Sequence, residues 1–223
     1  MSTKPAGATP PTRTLTERRK AATQLDIARA AAELFTERGP DGTTAEDIAL
    51  RAGVALRTFY RYFRSKQDAV APLLAGGADR WRALLAAAEP GADLPGALES
   101  AVVASLAADG DEAEEGLRWT RGLLRAAAED PALRAVWYRV NQESEERLRV
   151  VVAGLAGPDA DPLEVRLAAA AATGAIRIAL ETWAEGDAPT RGEGSPAVLA
   201  VRCLRELMGG LPLPTPGGEL RNR

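Results

Sequence analysis

Residues 43–66, TTAEDIALRAGVALRTFYRYFRSK, constrain this chain more than any other stretch, because their spacing describes a helix, a tight turn and a second helix. Ala49 and Gly53 stand four apart. A small side chain at Ala49 lets two helices cross closely, and Gly53 can take the positive φ that a sharp turn between helices requires. Beyond the turn, Val54, Phe59 and Phe63 fall on one face. Arg57, Thr58, Tyr60, Arg61 and Tyr62 are left largely outward. A short helix that exposes basic, hydroxyl and aromatic groups is what the DNA major groove accommodates.

At 223 residues the chain can hold one large or two modest domains and bury a substantial core. Ala, Leu, Arg and Glu abound, and β-branched runs of period two do not occur, so the expected class is all-α. The net charge of −3 says little, but its distribution says more. Residues 1–68 carry 12 Lys and Arg against 8 Asp and Glu, whereas residues 69–223 carry 16 against 23. A basic N-terminal portion on an acidic body suggests that one end meets phosphate.

The lone Cys203 leaves no internal disulfide framework and fits a reducing cytoplasm. There is no histidine, which excludes Ser-His-Asp and Cys-His catalysis and removes the commonest metal ligand. No enzymatic activity, cofactor or metal site is therefore expected. No stretch of about 20 apolar residues could span a bilayer, and the N-terminus lacks the apolar segment of a signal peptide. The expected location is the cytoplasm, with no membrane partner.

Residues 1–18 are rich in Pro, Thr and small side chains and read as a flexible basic arm, with Arg18, Arg19 and Lys20 at its end. From about Arg19 to Arg38, Ile27, Ala31, Leu34 and Phe35 recur at helical spacing, and Gly39-Pro40 ends that helix. Thr43 with Glu46, or Thr44 with Asp47, can form a capping box for the second helix, which runs to about Arg51. A third helix covers roughly residues 55–63, and Ser65 caps a fourth opening at Lys66. Further helices are expected near 66–88, 94–108, 112–128, 131–156, 162–185 and 195–209, separated by Pro and Gly clusters. Pro72 and Gly76-Gly77 should kink the fourth. Residues 211–223 read as a disordered tail.

The helix ending at Gly39, then TTAEDIALRAG, then TFYRYFRSK, resembles the TetR family of bacterial transcriptional regulators. The resemblance covers about 45 N-terminal residues. It implies an all-helical homodimer of about nine helices per subunit. Residues 19–66 would be a helix-turn-helix DNA-binding domain, and residues 67–210 a ligand-binding and dimerisation body. The segment RWTRGLLRAAAEDPALRAVW is similar to bodies of the acyl-CoA-like ligand-binding type. One departure stands out: relatives often carry Ser or Thr after the A-G-V turn, where this chain has Ala55. Losing such a cap typically costs ~1 kcal/mol.

The expected DNA contacts are Thr44, Ala55, Arg57, Thr58, Tyr60, Arg61, Tyr62 and Lys66. Arg57 and Thr58 would reach base edges, while Thr44 and Lys66 would meet phosphates near helix N-termini. Core packing is the alternative for Tyr62. In the body, Leu167, Ala171, Gly174, Ile178 and Thr182 form a narrow stripe of small and apolar residues for dimerisation, completed by Leu204. An internal core stripe is the competing reading. Trp81, Trp119, Trp137 and Trp183 either line a pocket for a largely apolar effector or simply fill core. Arg177 pairs with Glu181 or faces the polar end of a ligand. Arg118, Arg121 and Arg125 share a helical face; they either hold an acidic group of a ligand or, the leading expectation, form a solvated face paired with Glu114, Glu115 and Glu129. The leading expectation is a repressor released from a palindromic double-stranded operator by a small molecule. The alternative is an architectural or replication-linked helix-turn-helix protein without an effector.

Overall fold

The computed structural model describes residues 14–89, 91 and 93–209. Among them lie nine α-helices, one 3₁₀ turn and no strand: α1 (Leu15–Arg38), α2 (Ala45–Arg51), α3 (Leu56–Tyr62), the 3₁₀ turn (Asp68–Val70), α4 (Ala71–Ala86), α5 (Leu94–Leu106), α6 (Asp111–Glu129), α7 (Pro131–Ala156), α8 (Pro162–Glu185) and α9 (Pro196–Met208). The all-α expectation holds.

Local chemistry sets the helix starts. α1 opens at Leu15, earlier than expected, because Thr14 and Glu17 form a reciprocal capping box. The Glu17 N–H donates to Thr14 Oγ1 at 3.2 Å, and the Thr14 N–H donates to Glu17 Oε2 at 2.8 Å. The last residues of the expected arm are thus helical, and Arg18, Arg19 and Lys20 stand exposed on the first turns of α1. The remainder of that arm and the expected tail lie outside the described residues. Asp93, Asp130 and Asp161 cap α5, α7 and α8 with side-chain oxygens, and each of these helices has Pro in its first turn, where no N–H is needed.

The fourth helix differs from its expectation. Ser65 Oγ accepts from the Asp68 N–H at 3.1 Å, at the first residue of the 3₁₀ turn, and does not cap α4. α4 begins at Ala71 with Pro72 in its first turn, a position that tolerates proline without a kink. It then runs unbroken through Gly76 and Gly77 to Ala86.

One contiguous apolar core extends from Ile27 on α1 to Met208 on α9. α1 supplies Ile27, Ala31, Leu34 and Phe35 and packs on α2, α4 and α6. It approaches α6 so closely that a Cβ at Gly122 would stand 2.9 Å from Thr36 Oγ1. α8 is buried along Ala168, Ala169, Ala172, Ala175 and Ala179. Small side chains there let it nestle against α7 and α9.

Candidate nucleic-acid interface and effector cavity

The turn between α2 and α3 is fixed from both sides. Thr44 caps α2: its Oγ1 accepts from the Asp47 N–H at 3.1 Å and donates to Asp47 Oδ2 at 2.6 Å. Those bonds from Thr44 hold the Asp47 carboxyl below the usual carboxylate range. Thr43 is fully buried, with its hydroxyl on the carbonyls of Gly39 (2.9 Å) and Leu34 (3.3 Å). Of the two overlapping capping boxes only Thr44–Asp47 forms, and the Thr44 hydroxyl expected at a phosphate is committed to a carboxylate. At the other end of α2, Arg51 donates to Glu33 at 3.1 Å and to both Glu37 oxygens at 3.1 and 3.0 Å, tying α2 to α1. Gly53 takes φ +67°, and the Val54 N–H closes the turn on the Ala49 carbonyl at 2.9 Å.

α3 then presents two unlike faces. Phe59 and Phe63 are buried with ring centroids 5.6 Å apart. Arg57, Tyr60 and Arg61 are exposed, Tyr60 by 57%, and Thr58 is half-buried. Tyr62 is half-buried too; its hydroxyl accepts from Arg61 Nη2 at 3.3 Å, with the guanidinium 4.9 Å from the ring centroid. Ala55 sits at the N-cap and makes no side-chain bond, so the first turn of α3 has no cap of its own.

Lys66 Nζ donates to the carbonyls of Pro40 at 2.7 Å and Thr43 at 3.0 Å. It pins the loop before α2 to the segment after α3.

In the body, α1, α4, the end of α5, α6, α7, α8 and the α5–α6 loop surround a partly open cavity of about 570 Å³. Trp81, Trp119 and Trp137 line it, with Leu74, Leu117, Val140 and Leu180. Sequence reasoning missed Leu25, Asn141, Ser144 and Thr173, which also face it and carry no pattern that distinguishes them from core. Trp183 and Arg177 are not in its lining. Trp137 Nε1 donates to Glu181 Oε1 at 2.7 Å, and Glu181 Oε2 accepts from Arg177 at 2.8 Å, so that pair backs the wall instead of facing a ligand.

Trp183 has another partner. It is buried under the Arg121 guanidinium, 3.7 Å from the ring centroid, and its Nε1 donates to the carbonyls of Ala188 and Pro189. Arg121 also donates to the Ala188 carbonyl. Arg125 donates to the carbonyls of Ala184 and Gly186 and to Asp187, each at 2.7 Å. These two arginines do not pair with Glu115 or Glu129; they gather the free carbonyls at the C-terminus of α8, where cations are favoured. Only Arg118 follows the expectation, with Glu114 at 4.0 Å.

The α8 stripe splits in the same way. Leu167 and Ile178 are 41% and 39% exposed, Thr182 is exposed, and Ala171 and Gly174 are half-buried. Leu204 is 1% exposed and belongs to the subunit's own core, so it is not available to a second copy. Among the described residues no helix is long and apolar enough to cross a membrane, and no three metal-ligating side chains cluster.

A family model described as bacterial regulatory proteins of the tetR family matches residues 27–71, and one described as the MftR C-terminal domain matches residues 92–212. The chain belongs to the TetR family. The second match spans the body expected to resemble acyl-CoA-like ligand binders. Over 149 residues this TetR-family chain is 30% identical to the HTH-type transcriptional regulator TcmR of Streptomyces glaucescens, covering 66% of each protein. That match falls just short of two thirds of the relative's length. A TetR-family regulator structure from Mesorhizobium loti shares the fold at TM-score 0.54 and 23% identity, over 86% of this chain and 97% of that one. The multidrug binding protein EbrR, solved with imidazole, aligns at TM-score 0.53 and 25% identity over 86% and 96%.

Proposed function

We propose that this chain is a homodimeric, sequence-specific DNA-binding repressor, released from a palindromic operator by a small, largely apolar effector. One juxtaposition carries the reading: an outward face of Arg57, Tyr60 and Arg61 on α3, and a cavity lined by Trp81, Trp119 and Trp137, whose walls include α1, the helix that packs on α2, which in turn packs on α3. The naming of TcmR as a transcriptional regulator and of EbrR as a multidrug binding protein supports the two halves of it. Residues 19–66 would be the DNA-binding portion and residues 67–210 the body. Arg57 and Thr58 would reach bases, Ala55 would lie against the groove, and Tyr60, Arg61 and Tyr62 would meet phosphates or thymine-rich edges.

The stripe of Leu167, Ala171, Gly174, Ile178 and Thr182, exposed at Leu167, Ile178 and Thr182 and half-buried between, would pair with its counterpart on a second copy, spacing two reading helices by one turn of DNA. The protein would act in the cytoplasm and without catalysis. The cavity weighs against an architectural role, which has no use for one. Selection from random duplexes with the purified chain should enrich an inverted repeat. Enrichment of no motif, at any ionic strength, would end this reading.

A further inference from the structure

Two buried side chains on the cavity wall carry hydrogen-bonding groups that nothing satisfies. Trp81 on α4 is 2% exposed and Thr173 on α8 is 6% exposed. Neither Trp81 Nε1 nor Thr173 Oγ1 has a hydrogen-bond partner among the described residues. Three other polar groups of the lining are engaged: Ser105 Oγ donates to the Val102 carbonyl, Asn141 Nδ2 to the Trp137 carbonyl, and Trp137 Nε1 to Glu181. Ser144 and Trp119 make no side-chain hydrogen bond among the described residues, but their polar atoms are not fully enclosed. Thr173 also differs from three threonines inside other helices. Thr23, Thr36 and Thr120 each donate to the carbonyl four residues earlier, the usual outlet for a helical hydroxyl. Thr173 makes no such bond. A buried donor left unmet carries a desolvation cost that only a partner relieves.

Charge narrows what that partner can be. The charged lining residues, Arg29, Arg80, Asp109 and Glu112, are exposed or half-buried, and Arg29 lies 3.8 Å from Glu112. The buried lining residues carry no formal charge. A carboxylate pushed among them would meet no cation. An indole N–H can only donate, and a hydroxyl can donate as well as accept. We infer, resting on the effector reading above, that the cavity takes a neutral, flat, mainly apolar molecule with carbonyl-type oxygen, to which Trp81 Nε1 and Thr173 Oγ1 donate. The indole surfaces of Trp81, Trp119 and Trp137 supply the stacking area.

The test is calorimetric titration of the full chain with 9-fluorenone, with fluorene (the same ring system without the oxygen) and with a fluorenone carboxylate. 9-Fluorenone should bind roughly tenfold tighter than fluorene, the ratio expected for a hydrogen bond to a preformed donor. The carboxylate should bind more weakly than the neutral ketone. Trp81→Phe and Thr173→Val should each narrow the ratio of ketone to fluorene affinity. Thr173→Val, which keeps the side-chain volume, should melt no lower than the parent without ligand, since it removes an unmet polar group. Equal binding of ketone and hydrocarbon, a preference untouched in both variants, tightest binding of the carboxylate, or no binding of any probe would overturn the assignment. A lower melting temperature for Thr173→Val would too, because it would reveal a structural partner for the hydroxyl. If the ketone binds as expected yet leaves the selected DNA bound, the effector reading fails while the ligand class stands.

Discussion

Gln67 Nε2 donates to Asp130 Oδ2 at 2.9 Å, joining the segment that follows the reading helix to the start of α7. The other Asp130 oxygen accepts from the Ala132 and Leu133 N–H groups at 2.8 and 3.0 Å, so one carboxylate both caps α7 and holds the linker. Asp68 repeats the connection with Arg139 at 2.7 Å. From Arg139, ion pairs continue through Glu143 and Arg147 to Asp79 on α4. Any shift of α4 against α7 must strain or exchange these bonds.

Asp130→Ala should therefore lower stability by about 1–2 kcal/mol, the usual toll of a lost N-cap, as read from urea unfolding. The acid dependence has a definite sign. Burial by itself would raise the Asp130 carboxyl, but the bonds from Gln67, Leu133 and Ala132 and the charge of Lys66 outweigh it, and the group is held below its ordinary value. Its contribution is present above the unfolded value of ~3.9 and disappears as pH falls through the lower folded one. Asp130→Asn should remove that part of the acid-side loss, visible as a flatter urea midpoint between neutral and acid pH.

Lys66→Met should destabilise the chain by about 1–3 kcal/mol, because it strands the Pro40 and Thr43 carbonyls. The salt dependence of DNA binding should not change. A slope reduced by about one would show instead that Lys66 neutralises a phosphate.

Arg57→Ala should relax discrimination at one operator position by about 1–3 kcal/mol and leave thermal stability alone, since the side chain is exposed. A panel of operator variants measures it. Uniform loss across the panel would assign Arg57 to the backbone.

Ile178→Asp places a charge in the middle of the exposed α8 stripe and should shift sedimentation from dimer to single subunit. Leu204→Ala should act differently: it opens a cavity in the subunit's own core at about 2–5 kcal/mol, since Leu204 is buried there.

Ala55→Ser should stabilise α3 by ~1 kcal/mol by capping its first turn, which raises the melting temperature by roughly 2–4 °C for a chain of this size. Ala55 makes no such bond. A lower melting temperature would mean that the turn geometry forbids the cap.

The reading helix was legible because its determinants are local. The Thr44–Asp47 box spans three residues, and the Gly53 turn and the Phe59–Phe63 spacing are written within one window. The tie made by Lys66 was not legible because its partners are backbone carbonyls 26 and 23 residues away, which carry no signature in side-chain identity. Trp183 looked like Trp81 in sequence; what separated them was Arg121, placed over its ring by the packing of α6 on α8. Pro72 suits a kink or a first turn equally, and the intervening 3₁₀ segment, fixed by Ser65, decided the matter.

α1 belongs to both halves of the molecule. Its Leu25 and Arg29 line the cavity, while Ile27, Ala31 and Phe35 sit in the core shared with Ile48 and Phe59. At ~1.5 Å per residue, its 24 residues form one stiff strut without a proline or glycine to bend it. On the function proposed above, a guest that nudged Leu25 would tilt the same beam on which α2 rests, and news of occupancy would need no relay to reach it.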